Sequence, residues 1–388
     1  MQIRTRKRNS FCIKTRGGEE GFSLIAALTL MVTLLLVGAT TYIVSSSNAK
    51  AAGNLKTSQA ALQVAMAGIE QGRELLRQAN STSANVEAFS EELAARVGSN
   101  GQLNDPLSST DDLNVITGNT SAATMTVGSS TFAYKVYVTN DASDTNGWLS
   151  TTDANKRALL TSIATGPNNS KAVVQTVVQV VSMLSSPSTI YTKGDVTGNG
   201  TSLTVSGNDA CGSGTNLGAI YAKGEWEPNG TPTITGSITE NGSTDLDIAG
   251  MISALKAATN ITLTEDTNSA TYGSSTDYKI VYSNTSSPAN VNGLKLSNVT
   301  GYGILLVDGD LELAGGFNWN GIILVTGAVK LNGGGNDPVN VAGQILSGTS
   351  TVTDISINGG NNIGYDSCKV KKAVTSAPLT VLNWKQSL

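Results

Sequence analysis

No histidine occurs anywhere in the 388 residues. That absence removes the commonest general base, the serine–histidine and cysteine–histidine nucleophile pairs, and the commonest metal ligand. Only 14% of residues are charged and 5% aromatic, and the formal net charge is −4. Once the basic first 21 residues are set aside, no basic patch remains that could hold a nucleic-acid backbone, so nucleic acid is disfavoured as a partner. Walker loops, dinucleotide fingerprints and Cys-x-x-Cys pairs are missing too. Carboxylate-only chemistry survives these exclusions. Proline is absent from Phe22 to Ala79, and charge from Phe22 to Val44.

That charge-free tract is the strongest positive signal. Its 23 residues would cross a hydrocarbon core of roughly 30 Å as a helix. Arg4, Arg6, Lys7, Arg8, Lys14 and Arg16 precede it and favour a cytoplasmic leader. A cleaved secretory signal, with Ala49-Lys50-Ala51 as its processing site, would need a shorter apolar core of about 7–15 residues. A plain single-pass anchor fits the hydropathy equally well. After Asn48 the composition favours helix, and a rod from Phe22 to Ala79 would be about 87 Å long. Leu55, Leu62, Ile69 and Leu76 predict one buried stripe along its outer half. Gly38, Gly53, Gly68 and Gly72 weaken that helix unless they permit close backbone approach.

The junction Gly21-Phe22-Ser23-Leu24-Ile25-Ala26 resembles the processing site of type IV prepilins. The likeness continues through Ala51-Ala52-Gly53-Asn54-Leu55 and Gln63-Val64-Ala65-Met66-Ala67-Gly68-Ile69-Glu70, covering about residues 17–80. It implies cleavage after Gly21, with Phe22 as the methylated mature N-terminus. The family's glutamate at the fifth mature position is replaced by Ala26, a departure similar to minor pilins of the PilX type and to K-type pseudopilins. The leader carries six basic and two acidic residues, so its loss would take the net charge from −4 to −8. Cys12 would leave with it, and Cys211 and Cys368 would remain, either bridged in an oxidising compartment or as two buried thiols.

The expected fold class is α+β: a long N-terminal transmembrane and stalk helix, an antiparallel pilin-like β-sheet, then a β-rich, solenoid-like C-terminal domain. The expected divisions are a leader over 1–21, the helix over 22–80, an α+β head over 81–186 and a Gly-rich solenoid or β-sandwich over 187–388. Within the head, a helix is predicted from Asn85 to Val97. Strands are predicted at Ala123–Val127, Phe132–Thr139, Arg157–Ala164 and Ala172–Met183, joined as a meander. Beyond Ser185-Ser186-Pro187-Ser188 the chain echoes itself. Ile190-Tyr191-Thr192-Lys193-Gly194-Asp195 returns as Ile220-Tyr221-Ala222-Lys223-Gly224-Glu225. Gly303-Ile304-Leu305-Leu306-Val307-Asp308-Gly309 returns as Gly321-Ile322-Ile323-Leu324-Val325-Thr326-Gly327, and Gly343-Gln344-Ile345-Leu346 is a looser turn. Stacked rungs with glycine corners follow, unless repeated hairpins form a sandwich. Met251–Ala258 reads as a helical insertion.

Candidate chemistry is sparse. Asp141, Asp144, Asn146 and Asp153 are oxygen donors for Ca²⁺ in a turn-rich segment without EF-hand spacing, and Asp195, Thr197 and Asn199 invite the same remark. The alternative is a solvated turn. Trp226, Phe317 and Trp319 are ligand-facing aromatics for a sugar, or plugs of the solenoid core. Asp308, Asp310 and Lys330 sit at repeat turns without forming an acid–base pair. No catalytic residue, cofactor or resident metal is expected. The resemblance implies assembly: a minor pilin that primes the pilus and sits at its tip, contributing to adhesion. Its implied partners are other minor and major pilins through the helix, the prepilin peptidase, the bacterial inner membrane before assembly, and a tip adhesin or surface glycan. The destination is the extracellular pilus. A tip pseudopilin of type II secretion and a membrane-anchored, non-polymerising adhesin remain alternatives.

Overall fold

The structure, a computed structural model, describes residues 20–83, 88–97, 101–107, 115–116, 122–180, 186–212, 214–284, 293–334, 336–349 and 353–387. Cys12 and the basic leader residues lie outside them. Helix α1 runs unbroken over Glu20–Asn80. Its first half is bare apolar surface, with Phe22 76% exposed and Leu24 to Val44 similarly open. The threonines there satisfy themselves within the helix: the Thr29 hydroxyl donates to Ile25 O at 2.9 Å, Thr33 to Leu30 O at 2.9 Å and Thr41 to Val37 O at 2.7 Å. Such internal pairing lets a polar residue sit in a span that has no water to offer.

The outer half of α1 packs on an antiparallel sheet. That sheet holds β1 (Ala123–Val127), β2 (Ser130–Asn140), β3 (Arg157–Thr165) and β4 (Lys171–Gln179) in sequence order. The expected meander is therefore present, although residues 181–183 of its last strand fall outside the described residues. A fifth strand comes from the far end of the chain: Thr380–Ser387 pairs antiparallel with β4. The 187–388 unit read from the sequence thus gives up its last strand to the head. Helix α2 spans only Ser90–Ala94, shorter than the Asn85–Val97 expected, and residues 85–87 lie outside the described set. Phe89 and Leu93 still anchor it in the head core.

Among the described residues, seventeen further strands form one parallel sheet curled on itself, so the sandwich of hairpins is excluded. On one face the stacking order is Ile261–Leu263, Lys279–Asn284, 303–308, 321–325, 343–347, Ser188–Thr192, Gly218–Ala222 and Ile238–Thr239. The echoed segments lie directly on one another: Ile190 faces Ile220, and Gly303, Gly321 and Gly343 share one register column. Those three glycines have φ of +127°, +137° and +149°. A Cβ at Gly321 would stand 2.1 Å from Gly303 O, and one at Gly343 1.8 Å from Gly321 O, so neither position accepts a side chain.

The stack is out of sequence order. Rungs 188–239 continue the pile above 343–364, and helix α3 (Ile248–Lys256) links the last rung of that part to the strand at Ile261. It occupies the position of the predicted insertion. Helix α4 (Ser367–Ser376) lies over the same face and leads the chain to the head. These helices explain the unbroken apolar runs 304–307 and 322–325. Leu305, Val307, Ile323 and Val325 fill the interior, while Ile304, Leu306, Ile322 and Leu324 pack outward with Ile248, Ile252, Val370 and Val374. Parallel strands covered on both sides lose the polar alternation. It persists at Leu311-Glu312-Leu313, on an uncovered face.

Candidate functional site

The exposed apolar half of α1 and the way its outer half seats the head form the candidate site. Ala61, Val64, Ala65, Ile69 and Leu76 are buried against the sheet. The seven-residue stripe is corrected at its start: Leu55 is 60% exposed and Leu62 only partly buried, because the contact begins near Ala60 and follows the helix period instead. At Gly68 and Gly72 the helix lies too close to the sheet for a side chain. A Cβ on Gly68 would stand 2.5 Å from Ser162 Oγ, and one on Gly72 2.5 Å from Val136 Cγ1. Gly38 and Gly53 have nothing within 4 Å, so they serve no packing within the chain.

At its top α1 is tied to the C-terminal unit. The Arg77 guanidinium donates to Glu74 Oε2 at 2.8 Å and to Thr375 O at the end of α4, and the Lys371 ammonium donates to Ser83 O. The hydrogen bond that Arg77 donates to the Glu74 carboxylate raises the guanidinium's pKa above its ordinary value. Cys211 and Cys368 are joined, with Cα atoms 5.7 Å apart across 157 residues of sequence. The bridge fixes the first turn of α4 to the loop after the strand Leu203–Ser206.

Asp209 reinforces that attachment and was not legible as a site residue. Its carboxylate accepts Ser367 N at 2.8 Å, Ser367 Oγ at 2.7 Å, Gly214 N at 2.7 Å and Cys211 N at 3.1 Å. Burial opposes its charge, but these donors outweigh it and hold the carboxyl at about 2.

The Ca²⁺ candidates are turn locks. Asp144 accepts Asn146 N at 2.8 Å and Ala154 N at 2.7 Å; Asp153 accepts Lys156 N at 2.7 Å and Phe89 N at 2.8 Å. Asp141 takes the Ser143 hydroxyl and, at 3.1 Å, the Asn155 amide. N–H and O–H donors occupy the oxygens that a cation would need, and Asn146 donates rather than offering its own oxygen. Burial pushes against Asp144's charge, yet the backbone donors leave its carboxyl below the usual value.

The repeat-turn acids are likewise structural. Asp310 Oδ1 accepts Ala328 N at 2.8 Å, Asp354 Oδ1 accepts Asp195 N at 3.0 Å, and Asp195 Oδ1 accepts Glu225 N at 2.8 Å. Each corner carboxylate binds the backbone of the next rung. Asp308 accepts the Thr326 hydroxyl at 3.2 Å, and Lys330 is exposed beside Glu312 in register. Asn199 belongs to an amide ladder, donating to Asn358 at 2.9 Å, and Thr197 sits on the same strand. Phe317 and Trp319 are corrected from ligand-facing to core: both are fully buried and stacked at 5.9 Å, and Trp319 Nε1 donates to Gly303 O at 3.2 Å. Trp226 packs half-buried against the same core.

No family model matches the chain, and no curated protein does. Among solved structures, the competence-associated pilin ComZ from Thermus thermophilus aligns over 85% of this chain and 96% of its own, at 11% identity and a TM-score of 0.22. A likeness that loose carries no argument. The fold rests on the chain's own geometry: a long apolar N-terminal helix, an antiparallel head and a curled parallel sheet, α+β in class.

Proposed function

We propose that this chain is a minor, PilX-type type IV pilin, processed after Gly21, that primes pilus assembly and stays at the filament tip. The observation that carries the reading is the two-part character of α1. Phe22 to Val44 is bare apolar helix, and from Ala61 onward the same helix is the spine of an antiparallel head. One half suits a bilayer first and a bundle of like helices later; the other keeps the head rigidly attached.

Ala26 and the C-terminal unit argue for the tip. A carboxylate in an apolar helix bundle needs a partner amine, and a subunit with Ala26 makes no such demand on a subunit beyond it. The stacked sheet has eight strands on one face, so at about 4.8 Å per strand it adds an element roughly 35 Å long to the head. Such bulk is accommodated most easily where no further subunit is stacked on top. An adhesive contribution would come from this unit, through its polar outer faces rather than through its buried rings.

The deciding experiment is mass measurement of the mature N-terminus with and without prepilin peptidase. A methylated Phe22 supports the reading; an intact Met1 in the presence of the peptidase favours the non-polymerising anchor. Locating the protein along filaments then separates tip from shaft, and Ala26→Glu is expected to spread it into the shaft.

A further inference from the structure

A groove of about 890 Å³ opens where α1 leaves the head, between the helix and the β1–β2 turn. Lys50, Asn54 and Lys56 line its helix side, and Ser129 and Ser130 its turn side. Among the described residues, no acidic side chain lines it and neither lysine enters an ion pair. This is a local reversal, because the chain as a whole carries a net −4. A cationic groove on an acidic protein selects an anion at that one place.

Position narrows the anion. The apolar tract ends at Val44, and Ser45-Ser46-Ser47-Asn48 follow without charge. Lys50 lies about 9 Å beyond Val44 along the axis and Lys56 about 18 Å. Helical side chains lean toward the N-terminus, so both ammonium groups are carried back toward the bilayer. With α1 in a membrane, Lys50 stands at the outer edge of the headgroup layer of the outer leaflet, and Lys56 about 9 Å further out along the axis.

We propose that this groove holds the phosphate of an anionic phospholipid headgroup while the subunit waits in the membrane. Lys50 and Lys56 supply the charge, and the Asn54 amide with the Ser129 and Ser130 hydroxyls supplies neutral donors. The proposal rests on the reading of α1 as a membrane anchor. It adds a step to assembly: the lipid is surrendered as the subunit leaves the bilayer.

The test is native mass spectrometry of the full chain released from nanodiscs of equal phosphatidylglycerol and phosphatidylcholine. The wild type is expected to retain phosphatidylglycerol in preference to phosphatidylcholine. Lys50→Gln and Lys56→Gln each lower retention about fivefold, and Lys330→Gln, remote on the C-terminal unit, leaves it unchanged. Equal retention of both lipids, or unchanged retention in the double variant, overturns the proposal. Displacement of the lipid by millimolar inorganic phosphate also overturns it, showing a site for free anion. So does a double variant that incorporates poorly into filaments with lipid retention intact, because the groove is then a contact between subunits. Failure of the pilin reading is seen separately, in the mass of the mature N-terminus, and leaves the lipid result standing.

Discussion

Residues that look alike in the sequence do opposite things in the fold. Gly53 and Gly72 both lie in α1, yet only Gly72 touches the sheet. Gly53→Ala removes backbone freedom at no steric cost and is expected to stabilise the helix by up to about 1 kcal/mol. Gly72→Ala gains the same propensity but drives a methyl into Val136, whose branched side chain is stiff and fully buried. Overpacking of that kind costs about 1–3 kcal/mol, which cancels the propensity gain and leaves a net loss of up to about 2 kcal/mol. Thermal unfolding of the full chain in detergent reads both; equal shifts of the same sign would contradict the close approach. Asp209 carries a pH signature. Its folded carboxyl titrates at about 2 against an ordinary 3.8, so its contribution is complete above about pH 5 and fades as pH falls toward 2. Asp209→Asn is expected to lose about 1 kcal/mol at neutral pH, after allowance for the partly exposed setting. Urea unfolding should show parent and variant converging near pH 2, and a constant gap across that range would remove Asp209 from the account.

Elements were legible wherever one segment carried its own pattern. The charge-free tract, the alternating strands of the head and the 18-residue echo of Gly303–Gly309 all announced themselves, because burial on one or both faces stamps a period on the residues. What stayed hidden was carried by partners distant in sequence. Thr380–Ser387 reads as an ordinary short strand, and nothing in it names β4 as its neighbour. The Ca²⁺ candidates show the same limit. An Asx turn and a cation site use the same residues, and only the backbone donors aimed at Asp144 and Asp153 tell them apart. Phe317 and Trp319 lie between two echoed runs, where the sequence alone allows a ligand-facing ring, yet Gly301 in the adjacent strand has no side chain and leaves space for the indole. A Cβ there would stand 1.9 Å from Trp319 Cζ3. Corner aspartates were visible as Gly194-Asp195 and Gly309-Asp310, but their targets lie one rung away.

At the scale of the whole molecule, the order of the rungs sets where the C-terminal unit is weakest. Most neighbouring rungs are joined by a short stretch of chain. The rung 343–364 and the rung 188–206 are neighbours with more than a hundred residues between them, held by parallel pairing such as Ile345 with Ile190 and Asn361 with Leu203. Cys211–Cys368 spans the same seam, since Cys211 follows one rung and Cys368 the other. Closing a loop of that size is worth about 5 kcal/mol in the chain-entropy picture. Cys368→Ser should therefore do more than lower the unfolding free energy by an amount of that order. It should localise the loss. Hydrogen exchange in 188–206 and 343–364 is expected to accelerate together, while 303–325, deep in continuous rungs, keeps its protection. Uniform acceleration through all rungs would mean that the pile opens as one unit, and that the break in sequence order has no mechanical consequence.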